Sequence, residues 1–166
     1  SGTLVIDRPL NGTGGSPSST FAISTDSSLV GTENFLWTKS ANNRMSEGFS
    51  YAFSIDQAYQ SKPMTISALY KVASGTFADN DMSVWVYDLT NAVLIQPSAY
   101  QIKNTTGVEQ IKCEFQAASN STSYRLIFHT ASVSASARFL RIPTTLGRLL
   151  RIGWRRPESL QLHSAR

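Results

Sequence analysis

The chain has 166 residues, enough for one domain with a real core and short for two. Hydrophobic residues make up 41% and charged residues 16%, the latter below the usual share of roughly a quarter, and no run of apolar residues is long enough for a membrane-spanning helix. The net charge of +4 is unevenly held: residues 1–142 carry ten Lys/Arg and ten Asp/Glu, whereas residues 143–166 carry five Arg and one Glu, so the body is neutral and offers no basic groove for nucleic acid.

Residues 3–7 (TLVID) read as a short strand, followed by a loop rich in Gly, Ser and Pro. Gly12-Thr13-Gly14-Gly15 lacks the Lys-Ser/Thr and the helix that a phosphate loop requires, so a plain loop is expected. Residues 21–25 and 34–40 read as further strands, with Trp37 open to either a core or a surface role. From Gly48, the residues Phe49, Tyr51, Phe53 and Ile55 alternate strictly, a strong strand signal. Pro63 opens a strand in which Met64, Ile66, Ala68 and Tyr70 share a face.

The most informative stretch follows. In MSVWVYD (82–88), Met82, Val84 and Val86 fall on one face and Ser83, Trp85 and Tyr87 on the other. Asp88-Leu89-Thr90-Asn91 supplies turn chemistry, and Val93-Leu94-Ile95 begins the return strand. The aliphatic face wants a core, while the other carries a Trp and a Tyr side by side. Residues 110–116 turn Ile111, Cys113 and Phe115 inward; Cys113, the single cysteine, excludes an internal disulfide and reads as a small buried hydrophobe. Residues 124–130 alternate again, with Tyr124, Leu126 and Phe128 opposite Arg125, Ile127 and His129, and residues 137–142 form the last strand of the body.

About ten short strands separated by turn signals, with no long helical period, predict an all-β fold: one antiparallel β-sandwich of jelly-roll, galactose-binding-like type over residues 1–142. The tail, 143–166, departs from this pattern. Leu146, Leu149, Leu150 and Trp154 fall near helical spacing, which predicts a basic amphipathic helix limited by Pro157 and weakened by Gly147 and Gly153. It reads as a membrane-surface or partner-docking helix, as a segment packed on its own sandwich, or as sequence foreign to the domain; no membrane insertion is expected.

Four stretches, LWTKSANNRMSEGFSYAFSID (36–56), KPMTISALYKV (62–72), ASGTFADNDMSVWVYDLTNAVLIQPSAY (73–100) and FQAASNSTSYRLIFHTASVSASA (115–137), together resemble a carbohydrate-binding-module-like domain of structural proteins in tailed, often marine, phages. The linked order of VWVYDLTN, LIQP and NSTSYRLIFH carries the resemblance. It implies a β-sandwich and a place in a virion, on a fibre, spike or decoration protein. In that family the closing strand runs on through an acidic residue, whereas here Phe139-Leu140-Arg141-Ile142 meets Pro143 and the Arg-rich tail.

Three chemistries bear on these residues. A glycan site combines an aromatic platform with polar groups around it; Trp85 and Tyr87 supply the platform, with Arg125, His129, Gln96 and Asn91 as hydrogen-bonding partners. That requires the Trp85 and Arg125 faces to coincide, and the competing reading has the two rings covered by a loop, the tail or a neighbouring subunit. Asp79-Asn80-Asp81 offers Asp79 and Asp81 as ligands of a structural Ca²⁺, against ordinary turn chemistry; no other cofactor is expected. Catalysis finds no nucleophile motif and no paired carboxylates flanking a cleft, so no enzyme is expected. The expected role is a non-catalytic module in a virion or outside cells, with glycans, other virion subunits and further copies of itself as partners, and no nucleic acid. The opposing reading is an oligomerisation or decoration module without a sugar ligand.

Overall fold

A computed structural model of the chain describes residues 4–7, 20–25, 34–39, 48–74, 79–80, 82–103, 107–130, 137–143 and 151–154, with side chains only partly described in the outer strands. The strands are β1 (Leu4–Asp7), β2 (Thr20–Ser24), β3 (Asn34–Lys39), β4 (Gly48–Ser54), β5 (Pro63–Tyr70), β6 (Met82–Asp88), β7 (Val93–Ile95), β8 (Gln101–Ile102), β9 (Glu109–Gln116), β10 (Ser123–Thr130), β11 (Ala137–Pro143) and β12 (Arg151–Trp154). A 3₁₀ turn, Gln57–Tyr59, joins β4 to β5; Asp56 caps it by accepting a bond from the Ala58 N–H at 2.8 Å.

All strand pairs among the described residues are antiparallel. One sheet runs β1-β4-β10-β6-β7 with β8 also on β6, a second runs β12-β5-β9, and a third runs β11-β3-β2. The first two are the layers of a β-sandwich, as the alternation along the chain requires. Met82, Val84 and Val86 of β6, Tyr124, Leu126 and Phe128 of β10 and Phe49 and Phe53 of β4 face Met64, Ile66, Ala68 and Tyr70 of β5 and Ile111, Cys113 and Phe115 of β9. Trp37 of β3, left open by the sequence, joins this core with no exposed surface and meets Phe49 edge-on at 5.7 Å between ring centroids. Phe49 in turn stacks on Phe128, its β10 partner, at 4.8 Å. At Gly48 any β-carbon would overlap the Phe128 carbonyl oxygen, so only glycine lets β4 and β10 approach so closely there.

Cys113 is buried, as expected, and burial pushes its thiol up to about 12, with the Glu114 charge adding to the effect. The layers are stitched together beside β7. After Ile95 the chain crosses to the second sheet, where the Ser98 N–H donates to the Glu114 carbonyl at 2.8 Å, then returns so that the Tyr100 carbonyl accepts from Val84 N–H at 2.8 Å.

The tail does not match the helical expectation where it is described. Residues 151–154 are β12, paired antiparallel with β5 from Arg151 opposite Ser67 to Trp154 opposite Met64. The physical reason lies in the sequence itself: Ile152 and Trp154 alternate with Arg151 and Gly153, and a glycine inside a helix costs about 1 kcal/mol relative to alanine. With β9 on one side only, β5 has an edge whose N–H and C=O groups such a strand satisfies. The rest of residues 143–166 lies outside the described residues, apart from Pro143 at the end of β11.

Removing the Phe128 ring takes out the stack on Phe49 at the centre of the core. Phe128→Ala is expected to lower stability by about 3–5 kcal/mol, measured as a reduced urea midpoint with unchanged slope.

Candidate functional site

The pairing of β10 with both β4 and β6 decides whether the sequence-predicted residues share a face. Directly opposed residues of a ladder point to the same side. Tyr87 is opposite Arg125, Trp85 opposite Ile127 and Ser83 opposite His129. On the far side of β10, Arg125 is opposite Ala52, Ile127 opposite Ser50 and His129 opposite Gly48. Leu94 of β7 is opposite Tyr87. Trp85, Tyr87, Arg125 and His129 therefore lie together on the outer face of the six-stranded sheet, in rows running across the strands.

These rows differ in access. In the middle row Ile127 is 4% exposed and Ser50 fully buried, and Trp85 itself is half-buried. The Trp85 indole is flanked from both sides of its strand. His129 on β10 stacks against it at 5.9 Å and 25°, and Tyr100, leading into β8 on the opposite side, lies at 5.1 Å. Its Nε1 and the Ser50 hydroxyl are shut off from solvent and meet no hydrogen-bond partner among the described residues. Trp85 thus keeps part of its surface open while the Tyr100 and His129 rings stand on its two flanks. Tyr87, also half-buried, has no ring partner among the described aromatic contacts, and beside it Leu94 is 48% exposed. The accessible row is Leu94–Tyr87–Arg125–Ala52, with Ser54 and Ser123 forming the next pair toward the hairpin turn.

The Ser83 hydroxyl lies 3.3 Å from His129 Nε2, the spacing of a weak hydrogen bond. Ser83 is only 5% exposed, and the pair ties the His129 ring, which stacks on Trp85, to β6.

Asn91 does not belong to this face. It sits in the β6–β7 turn, where its side-chain N–H₂ donates to Asp88 Oδ2 at 2.7 Å and to Asn120 Oδ1 at 2.9 Å, while its own Oδ1 accepts from Asn120 at 2.9 Å. Its polar atoms are spent on joining two turns. Asp88 organises this corner: Oδ1 accepts from the Thr90 and Asn91 N–H groups at 3.0 and 3.2 Å. Burial pushes the Asp88 carboxyl up, but the bonds from the Asn91 amide, the Ser121 hydroxyl and the two backbone N–H groups outweigh it and hold the carboxyl below its usual value. Gln96 is exposed but follows the last rung of the β6–β7 ladder, in the segment that crosses to the second sheet, so the pairing does not bring it into the rows. Of the proposed calcium ligands, Asp79 is described in an exposed turn and Asp81 lies outside the described residues. Among the described residues no three His, Cys, Asp or Glu side chains gather to hold a metal.

Leu94 was not singled out from the sequence. Its neighbour follows from the length of the hairpin turn, which fixes register; the four residues 89–92 include Ala92 at a φ of 54°, the left-handed residue that closes such a turn.

No sequence family matches the chain, and no curated protein is a detectable relative of it. Solved structures do resemble it. The CBM22-1 xylan-binding domain of Xyn10C from Paenibacillus barcinonensis has a TM-score of 0.55 at 12% identity, covering 92% of both chains. The enzymatically active domain of tailspike protein 4 from bacteriophage CBA120 has a TM-score of 0.57 at 11% identity over 93% of this chain, which spans only 19% of that one. A CBM4 module matches with a TM-score of 0.50 at 9% identity, covering 84% of this chain and 79% of that one. At these identities the likeness is one of fold: the chain has the β-sandwich seen in carbohydrate-binding modules.

The corner at Asp88 makes a prediction about acid. A carboxyl held below its usual value contributes stability that is fully present above about pH 4, the unfolded value, and is lost as pH falls through the folded one. Asp88→Asn is expected to lower stability at pH 7 by about 1–3 kcal/mol and to flatten the acid limb, read from urea midpoints at a series of pH values.

Proposed function

We propose that this chain is a non-catalytic carbohydrate-binding module that holds a glycan across the outer face of the six-stranded sheet. The observation that carries the reading is the row Leu94–Tyr87–Arg125–Ala52: a half-buried tyrosine ring, with no aromatic neighbour among the described residues, between an exposed leucine and a guanidinium on paired strands of one sheet. Sugars offer apolar C–H faces beside hydroxyls, and a ring with a forked donor next to it meets both. In this reading Tyr87 is the platform, Arg125 the hydrogen-bonding group, and Trp85 with His129 and Tyr100 the wall that fixes them. The fold shared with carbohydrate-binding modules supports the assignment, and the buried Ser83 speaks against hydrolysis at the face. The resemblance of 36–137 to phage structural domains, together with the fold shared with a tailspike, supports placing the module on a virion exposed to the outside, where many weak sites gain by avidity.

One observation favours the alternative of an assembly or decoration module. Leu89, Val93 and Leu94 are 39%, 50% and 48% exposed along the β6–β7 hairpin, an apolar edge of the kind that a neighbouring subunit covers.

The readings separate on one set of measurements, glycan-array binding and light scattering of the intact chain. Wild type is expected to bind at least one glycan. Tyr87→Ala is expected to weaken that binding roughly tenfold, the equivalent of about 1.4 kcal/mol, with little change in stability. Trp85→Ala is expected to act mainly by loosening the wall, lowering the urea midpoint. A soluble oligomer that binds no glycan, and whose assembly is broken by Leu94→Glu, would replace the module reading with the assembly one.

A further inference from the structure

The edge of β5 is completed by a strand that comes from the far end of the described chain. β11 ends at Pro143 in the β11-β3-β2 sheet, and after the seven residues 144–150 the chain enters a different sheet as β12, laddered to β5. Four residues make the ladder: Arg151 opposite Ser67, Ile152 opposite Ile66, Gly153 opposite Thr65 and Trp154 opposite Met64. Ile66 and Met64 are core residues, 0% and 1% exposed, so the two apolar positions of β12 stand in register with two core positions of β5. Backbone bonds alone would take any extended segment; the matched apolar positions favour the alternation in RIGW and disfavour a one-residue slip. β12 is also an element that is easily released. The described core, from Trp37 to Phe128, is assembled by strands that precede both β11 and β12, and a short peripheral strand opens at lower free energy than the body.

We infer that the β5 edge is an interface between copies of this chain, in which each protomer receives the β12 of its partner and gives its own in return. Every bond of the ladder made within one protomer is remade between two, so the exchange costs little beyond association itself, and a second copy brings the right strand in the right register. Local concentration decides between the closed protomer and the exchanged pair. A connector of seven residues holds β12 at its own β5 at an effective concentration on the order of millimolar, so exchange belongs to copies crowded to that level and the closed form to dilute solution. The connector also limits the geometry. Seven residues reach no more than about 25 Å, which sets the receiving edge beside the donor body and makes the pair compact and two-fold. This interface is separate from the glycan-binding row and from the β6–β7 hairpin, both of which belong to the other layer.

The test mixes two full-length chains, each with one added cysteine, one of them enlarged by a tag so that a heterodimer resolves on a non-reducing gel. Opposed residues of an antiparallel ladder have Cα atoms about 4.5–5.5 Å apart, within disulfide reach. Ser67→Cys mixed with Arg151→Cys has no such pair inside either protomer, so a covalent heterodimer reports β12 of one copy on β5 of the other; the native Cys113, 1% exposed, takes no part. At about 1 mM chain the matched pair is expected to link at least tenfold faster than the mismatched Ser67→Cys with Gly153→Cys, and at about 10 µM to lose most of that yield. Adding Ile152→Asp to the Arg151→Cys chain sets an acidic residue opposite Ile66 and is expected to slow linking at least tenfold, with urea midpoints confirming folded chains. The double variant Ser67→Cys/Arg151→Cys locates β12 in the dilute chain. An internal disulfide there, with no linking of the matched pair at the higher concentration, leaves β12 with its own body and overturns the inference. Equal linking of matched and mismatched pairs reports random collision and overturns it as well, as does a double variant that forms no disulfide within or between chains.

Discussion

The arrangement depends on β10 having a partner along both edges. A strand with one neighbour can slip by a residue and turn its side chains over; a strand laddered to β4 and β6 at once would have to break both ladders to do so. That double constraint sends Tyr124, Leu126 and Phe128 into the core and Arg125, Ile127 and His129 outward. The apolar side is the energetic reason: Leu126 and Phe128 are fully buried, and a slip would put Arg125 and His129 in their place. What the outer face displays is thus set by what the inner face cannot give up.

Much of this was legible in the chain because the period of two is so regular. The β6 strand has the ends expected of it and β7 begins where expected, the inward residues of β5, β6, β9 and β10 are those the alternation names, and Cys113 is buried among them. The shared face of Trp85, Tyr87, Arg125 and His129 was legible only as a condition, because alternation fixes a face within a strand while neighbours in the sheet are fixed by pairing between distant segments. Residues 82–88 and 123–130 meet across more than thirty residues of chain, and no local signal announces it.

What the sequence could not convey has physical causes of the same kind. Asn91 reads equally well as a ligand-binding amide or a turn residue, and the choice is made by Asn120, which only folding brings beside it. Trp85 reads as a ring on an open strand, and its contacts with Tyr100 and His129 come from segments that only folding brings beside it. At residues 151–154 a helical period spread over the whole tail competes with a short alternating one, and the open edge of β5 settles the matter in favour of a strand. In each case a tertiary partner overrode a local preference that was real but weak.

The crossing between β7 and β8 has a mechanical side. Within five residues it bonds to β9 through Ser98, to β6 through the Tyr100 carbonyl, and to the Trp85 indole through the Tyr100 ring. A tug on the outer sheet is therefore shared at once with the opposite layer, and shearing one layer over the other means snapping this clasp first. A tether anchored on that sheet would load the whole body in parallel instead of unzipping it from the rim.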